Sequence, residues 1–217
     1  MTQTNNNLYI LMGNKNDGKT TVGNYIAHKL NKPTIIIDPA REFSKKDYRI
    51  FCYSLNEIKY YLNNDEWQKA IKSANMQIVF RPPHNNVKKS INAVCKELMT
   101  HKGYCIFFDE MELYADRYLN KNDEIYNIVY LLRNRQHDII VVSKKASDLS
   151  GLIKDMFDFI FVGNLETKNS LNFFKDLGGE GLVNEIKNTP FREFLVIGRR
   201  GYKTRFKLDG RIAKILG

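Results

Sequence analysis

Eight residues near the N-terminus carry the first recognisable chemistry. Gly13-Asn14-Lys15-Asn16-Asp17-Gly18-Lys19-Thr20 fits G-x-x-x-x-G-K-[ST] at every fixed position, and Thr21 follows. The spacing suits a phosphate cradle: glycines let the backbone curl so that successive N–H groups point inward, and a helix N-terminus adds partial positive charge. In such a loop Lys19 reaches the β- and γ-phosphates of ATP, and the Thr20 hydroxyl faces Mg²⁺. The motif has this meaning only between a strand and a helix. Leu8 to Met12 is a short apolar run and Lys19 to Leu30 reads as a helix, so Gly13 to Thr21 are expected to bind the nucleotide.

A second set of residues completes that chemistry. Tyr104-Cys105-Ile106-Phe107-Phe108 is an apolar strand ending in Asp109-Glu110, about 90 residues after Lys19. Nucleotide hydrolysis needs two carboxylates at such a place. Asp109 is expected to hold Mg²⁺ through its water shell and Glu110 to polarise the attacking water. The separate Glu110 points to an ATPase rather than a small-molecule kinase.

Cations and polar groups then follow at defined places. A helix read over Asp123 to Arg135 ends in Arg133-Asn134-Arg135, just before the strand Ile139 to Val142. These arginines either balance a helix C-terminus or reach the γ-phosphate of a neighbouring subunit as an arginine finger. The strand tip Ser143-Lys144-Lys145 lies where a residue could sense γ-phosphate, and either Ser143 or Lys144 could serve.

The elements that must position these groups alternate along the chain. Thr34 to Asp38, Arg49 to Tyr53, Gln77 to Phe80 and Phe159 to Val162 read as further strands, with helical spacing between them. Leu55 to Ala74 reads as one or two helices, Val87 to Met99 as another, and Gly178-Gly179-Glu180-Gly181 as a loop. No repeat or linker divides the 217 residues, so one α/β domain is expected over 1–217, with its core over about 8–208.

Composition narrows the classes. The 43% apolar and 27% charged residues describe an ordinary globular protein, and no apolar run approaches the ~18 residues of a membrane span. The N-terminus lacks the pattern of a secretory signal, which leads to the expectation of a cytoplasmic protein. Cys52, Cys95 and Cys105 are odd in number and set among apolar neighbours, as small core residues are. Thirty-four Lys and Arg against 24 Asp and Glu give +10, which suits a polyanionic partner or simple solubility. Nine of these cations fall between Lys187 and Lys214, where Phe194 to Ile197 and Tyr202 to Leu208 read as a hairpin around Arg199 and Arg200. That hairpin is either a nucleic-acid surface or a sheet edge guarded by charge.

The order of Gly13-to-Thr20, Asp109-Glu110, Arg133-Asn134-Arg135, Ser143-Lys144-Lys145 and Ser147-Asp148-Leu149 to Phe161 resembles the FtsK/HerA superfamily of DNA-pumping ATPases. It is most similar there to compact viral ATPases that load double-stranded DNA genomes into preformed capsids. The resemblance implies a RecA-like P-loop NTPase fold, with a mostly parallel central sheet flanked by helices and a C-terminal β-hairpin. It implies a homo-pentameric or homo-hexameric ring around double-stranded DNA, ATP and Mg²⁺ between subunits, and a capsid portal or vertex component as docking partner, in the host cytoplasm if the source is viral. Arg133 is then the first choice for the finger and Arg135 the second. The family commonly carries glutamine where Lys144 stands; lysine cannot accept a hydrogen bond from water, which favours Ser143 as the sensor. Lys144, Lys145, Lys121 and the hairpin residues Arg199 and Arg200 are candidates for DNA contact. A zonula-occludens-toxin-like phage assembly or secretion ATPase shares this core and is the alternative, with a small-molecule P-loop kinase after it.

Overall fold

The strands form because runs of β-branched and aromatic residues can be buried on both faces at once. The computed structural model describes residues 6–74, 76–115, 122–149 and 151–209. In chain order the strands are β1 (Leu8–Met12), β2 (Thr34–Ile37), β3 (Arg49–Cys52), β4 (Gln77–Phe80), β5 (Cys105–Phe108), β6 (Asp138–Ser143), β7 (Phe159–Val162), β8 (Glu193–Gly198) and β9 (Lys203–Lys207). They make one sheet in the order β3-β4-β2-β5-β6-β1-β7-β8-β9. The first seven in that order run parallel, and β8 turns antiparallel to β7, with β9 antiparallel to β8. The C-terminal hairpin therefore extends the central sheet.

Among the described residues seven α-helices cover it: α1 (Lys19–Leu30), α2 (Leu55–Asn63), α3 (Asp65–Ala74), α4 (Val87–Leu98), α5 (Glu124–Tyr130), α6 (Gly151–Met156) and α7 (Lys168–Lys187). The stretch over 55–74 is thus two helices. A Ser54–Glu57 capping box starts α2. Alternate strand residues separate two cores. Leu8, Ile10 and Met12 of β1 join the side packed by α2, α4, α5, α6 and α7. Leu11 joins the side on which α1 places Val22, Ile26 and Ala27. Gly23 lets α1 approach closely: a Cβ there would stand 2.6 Å from the Phe107 ring of β5. No helix among the described residues is long and apolar enough to cross a membrane.

Two local expectations are corrected. The helix expected to reach Arg135 stops at Tyr130, and turns carry the chain on. Gln136 at φ 57, with His137 N–H donating to Leu132 O and Gln136 N–H to Arg133 O, closes these turns in the manner of a Schellman cap. The stretch Gly178-Gly179-Glu180-Gly181 is not an open loop but a sharp break inside α7. Gly178 and Gly179 alone leave helical geometry, and helix resumes through Lys187.

Cys52, Cys95 and Cys105 are all buried and free. His137, buried just before β6, holds that strand's entry to β5: Nδ1 accepts from Tyr104 N–H at 3.2 Å and Nε2 faces Leu98 O at 3.3 Å. Burial pushes its pKa down to about 4. The unfolded chain, near 6.5, binds this proton first, so stability present above about pH 6.5 is lost as pH falls toward 4. Urea unfolding is expected to show up to about 3 kcal/mol of stability lost across that window, and His137→Gln, which cannot take the proton, is expected to flatten it. An unchanged slope in the variant would contradict the assignment.

Candidate active site

Parallel strands all end on one edge of the sheet, and the loops after β1, β2, β5 and β6 meet there. Chain direction alone brings the two sequence motifs into one place. Because β6 lies between β1 and β5, its tip stands between the phosphate-binding loop and the carboxylates. A cavity of about 420 Å³ opens at this edge. Lys15, Asn16, Gly18, Lys19, Thr20, Thr21, Glu110, Ser143 and Lys144 line it, all expected from sequence.

The loop itself is shaped by left-handed backbone. Asn16 has φ 69, and Gly18, the residue before α1, has φ 90. A side chain at Gly18 would suffer both strain and a Cβ 2.4 Å from Leu208. Lys19 is buried, and its ammonium donates to Asn14 O at 2.6 Å. Burial lowers its pKa, an effect opposed by Asp17. Asp17 does not line the cavity. It is buried between Gly13 and Gly163, where a Cβ on either would come within 3 Å of its Oδ2 (2.6 and 2.9 Å). The loop is thereby seated on the end of β7.

Across β6, the Thr20 hydroxyl donates to Asp109 Oδ1 at 3.1 Å. Asp109 is fully buried, and its Oδ2 has no hydrogen-bond partner among the described residues. Burial first, and then Glu42, push the Asp109 carboxyl up to about 7. A hydroxyl and a carboxylate with an unsatisfied buried oxygen are hard donors, and they fit a divalent cation such as Mg²⁺.

Glu110 stands at φ 44, ψ 53, a strained conformation for a side chain of its kind that turns it from the line of β5 into the cavity. Lys144 forms an ion pair with Glu110 and lies 3.8 Å from Glu112. The bond to Glu110 is what chiefly raises the Lys144 pKa. The Ser143 hydroxyl is engaged within its own turn, donating to Lys145 O at 3.2 Å and accepting from Lys145 N–H. Of the two tip residues, Lys144 is the one that touches a carboxylate of the cavity.

Other candidates lie elsewhere. Arg133 and Arg135 precede β6 at the opposite edge of the sheet, roughly 20 Å away at ~3.3 Å per strand residue. There Arg133 donates to Asp158 Oδ1 at 2.8 Å, while Asp158 Oδ2 accepts from Leu8 N–H and Asp158 O accepts from Arg199 N–H. Arg199 and Arg200, at the β8–β9 turn, are exposed on that same edge. Lys145 follows Lys144 outside the cavity lining, and Lys121 lies outside the described residues.

The cavity also holds residues that sequence reasoning missed. Glu42 rides on the loop after β2, which Asp38 fixes by accepting from Glu42 N–H at 2.8 Å and Arg81 Nε at 3.0 Å. Glu112, Arg192, Leu208 and Asp209 line it as well. The available signal was position: Glu42 follows a strand at the edge where such sheets bind ligands.

No protein-family model matches the sequence, and no curated protein sequence does. Solved structures do. The genome packaging NTPase B204 from Sulfolobus turreted icosahedral virus 2, in complex with AMPPCP, matches with a TM-score of 0.71 at 14% identity, over 94% of this chain and 98% of that one. VirB4 of Thermoanaerobacter pseudethanolicus matches at 0.61 and 12%, over 97% and 91%. The N-terminal domain of zonular occludens toxin from Neisseria meningitidis matches at 0.52 and 10%, over 96% and 97%.

The fold is that of a P-loop ATPase. This bears out the fold resemblance read from the sequence, including the antiparallel C-terminal hairpin. In that P-loop ATPase fold, Asp109→Asn would keep shape and a hydrogen bond to Thr20 while removing a charge. It is expected to leave the melting temperature unchanged or raised. Nucleotide affinity in the presence of Mg²⁺ is expected to weaken about 10- to 100-fold, and to change little in EDTA. An equal loss with and without Mg²⁺, by titration calorimetry, would contradict the metal assignment.

Proposed function

We propose that this chain hydrolyses ATP and uses the energy to translocate double-stranded DNA, packaging a viral genome into a preformed capsid. The observation that carries the reading is the 3.1 Å bond between Thr20 and the buried Asp109, at the wall of a cavity that Thr20, Lys19 and Glu110 line. Lys19 and the loop N–H groups hold the triphosphate, and Glu110 takes the proton of the attacking water. Thr20 and Asp109 would hold Mg²⁺, which would supply neutralisation of the phosphate charge. Lys144 holds the Glu110 carboxylate by its ion pair and so sets where that base points.

The remaining cation comes from a second subunit. Arg133 lies beyond reach of its own cavity but on an edge that a head-to-tail neighbour can place against the next cavity. Arg133 serves there as the finger, with Arg135 as the second candidate, in a ring of five or six copies. The +10 charge suits a DNA partner held by backbone contacts. Lys145, Lys121, Arg199 and Arg200 are its candidate contacts, and a capsid portal or vertex component is the docking partner. The likeness to the packaging NTPase B204 supports this reading. The likeness to a zonular occludens toxin domain favours a second one, a phage assembly or secretion ATPase.

Steady-state hydrolysis over a range of protein concentrations, with and without double-stranded DNA and at two salt concentrations, separates them. The rate is expected to rise more than linearly with protein, to increase with DNA in a salt-sensitive way, and to fall about 10³-fold in Arg133→Ala. A rate linear in protein and indifferent to DNA would overturn the motor.

A further inference from the structure

The cavity has a second end that the triphosphate does not explain. Across the sheet the order is β5, β6, β1, β7, β8, β9. Asp109, Glu110 and Glu112 follow β5, Lys144 follows β6 and the phosphate-binding loop follows β1. Arg192 precedes β8, and Leu208 and Asp209 follow β9. All of these except Asp109 line one cavity. A triphosphate with its γ-end toward Glu110 therefore points its nucleoside end toward β8 and β9.

What stands at that end is specific. Arg192 is a non-glycine residue at φ 61, a conformation that costs free energy and is retained where surroundings or function require it. Its carbonyl accepts from Leu208 N–H at 2.9 Å, which locks the backbone of the turn to the end of β9. Its guanidinium carbon lies 5.3 Å from the centroid of the Phe191 ring, and Phe191 is itself 63% exposed. Leu208 reaches over the phosphate-binding loop to Gly18. A planar cation backed by an aromatic ring, an apolar side chain beside the loop and a carboxylate together match a nucleoside: a flat base, its edge, and ribose hydroxyls.

We infer that Arg192, Phe191, Leu208 and Asp209 form the nucleoside subsite. The base stacks on the Arg192 guanidinium, with Phe191 behind that group, and packs its edge on Leu208. Asp209 accepts a hydrogen bond from a ribose hydroxyl. Arg192 thus leaves the set of basic residues available for DNA and becomes a group that discriminates a nucleotide from a bare polyphosphate. This rests on the reading that the loop holds a nucleoside triphosphate.

Titration calorimetry of the full chain with ATP and with inorganic tripolyphosphate, both with Mg²⁺, tests it. Arg192→Gly removes the side chain and suits the positive φ, so the fold is expected to persist, as circular dichroism melting checks. ATP affinity is expected to fall about tenfold while tripolyphosphate affinity stays within about twofold. Phe191→Ala, at an exposed position, is expected to weaken ATP about two- to threefold and leave tripolyphosphate alone. Unchanged ATP affinity in both variants, or an equal loss for both ligands in Arg192→Gly, would overturn the subsite. Binding of neither ligand by the unaltered protein would instead overturn the triphosphate site on which it rests.

Discussion

One hydrogen bond, from the Thr20 hydroxyl to Asp109, constrains most of what surrounds it. The donor lies in the first turn of α1, which follows β1, and the acceptor directly follows β5, and a whole strand, β6, runs between β1 and β5. For the two to meet, β1, β6 and β5 must run to the same edge: Met12 stands opposite Ser143, and Phe108 opposite Val141, so that β5 stops two residues earlier and Asp109 and Glu110 fill the difference. Phe107 against Gly23 keeps α1 close enough for Thr20 to reach. The same register puts Lys144, one residue past β6, against Glu110, one residue past Asp109. Burying a carboxylate with one oxygen unsatisfied is costly, and a cation at that oxygen removes the cost. Thr20 and Asp109 are thus the residues that would hold Mg²⁺ in the proposed function.

The sheet gives the molecule two chemically different edges. Carboxylates and the phosphate-binding loop gather where the parallel strands end. Arg133, Arg135, Arg199 and Arg200 lie where they begin, with Asp158 tying Arg133, the turn at Arg199 and the first residue of β1 together. A single side chain, Asp158, thus joins Arg133 to the strand that carries the phosphate-binding loop.

Much of this was legible in the sequence, for identifiable reasons. Strands buried on both faces leave unbroken apolar runs, so β1, β2, β4 and β7 stood out by composition. The phosphate-binding loop and the Asp109-Glu110 pair are local in the chain and were visible as motifs. The break at Gly178 and Gly179 was visible too, but not that helix resumes at once, since Leu182, Val183 and Ile186 gain burial only from the folded core. What the sequence hid was convergence. Nothing near Arg192 in the chain says that the loop after β9 returns beside Gly18, so it read as one more cation in a basic hairpin. Lys144 read as a candidate DNA contact for the same reason: its partner Glu110 is distant in sequence and adjacent only once β5 and β6 pair.

The central claim is that each catalytic unit takes its phosphate-binding loop from one subunit and its arginine from the next. Mixing two variants tests it most directly: Lys19→Ala, which keeps Arg133, and Arg133→Ala, which keeps the loop. Each alone is expected to be inactive. Mixed in equal amounts and assembled together, they are predicted to recover about a quarter of the normal hydrolysis rate, the share of complete units formed by random head-to-tail pairing. Co-assembly without any recovered hydrolysis would contradict the account.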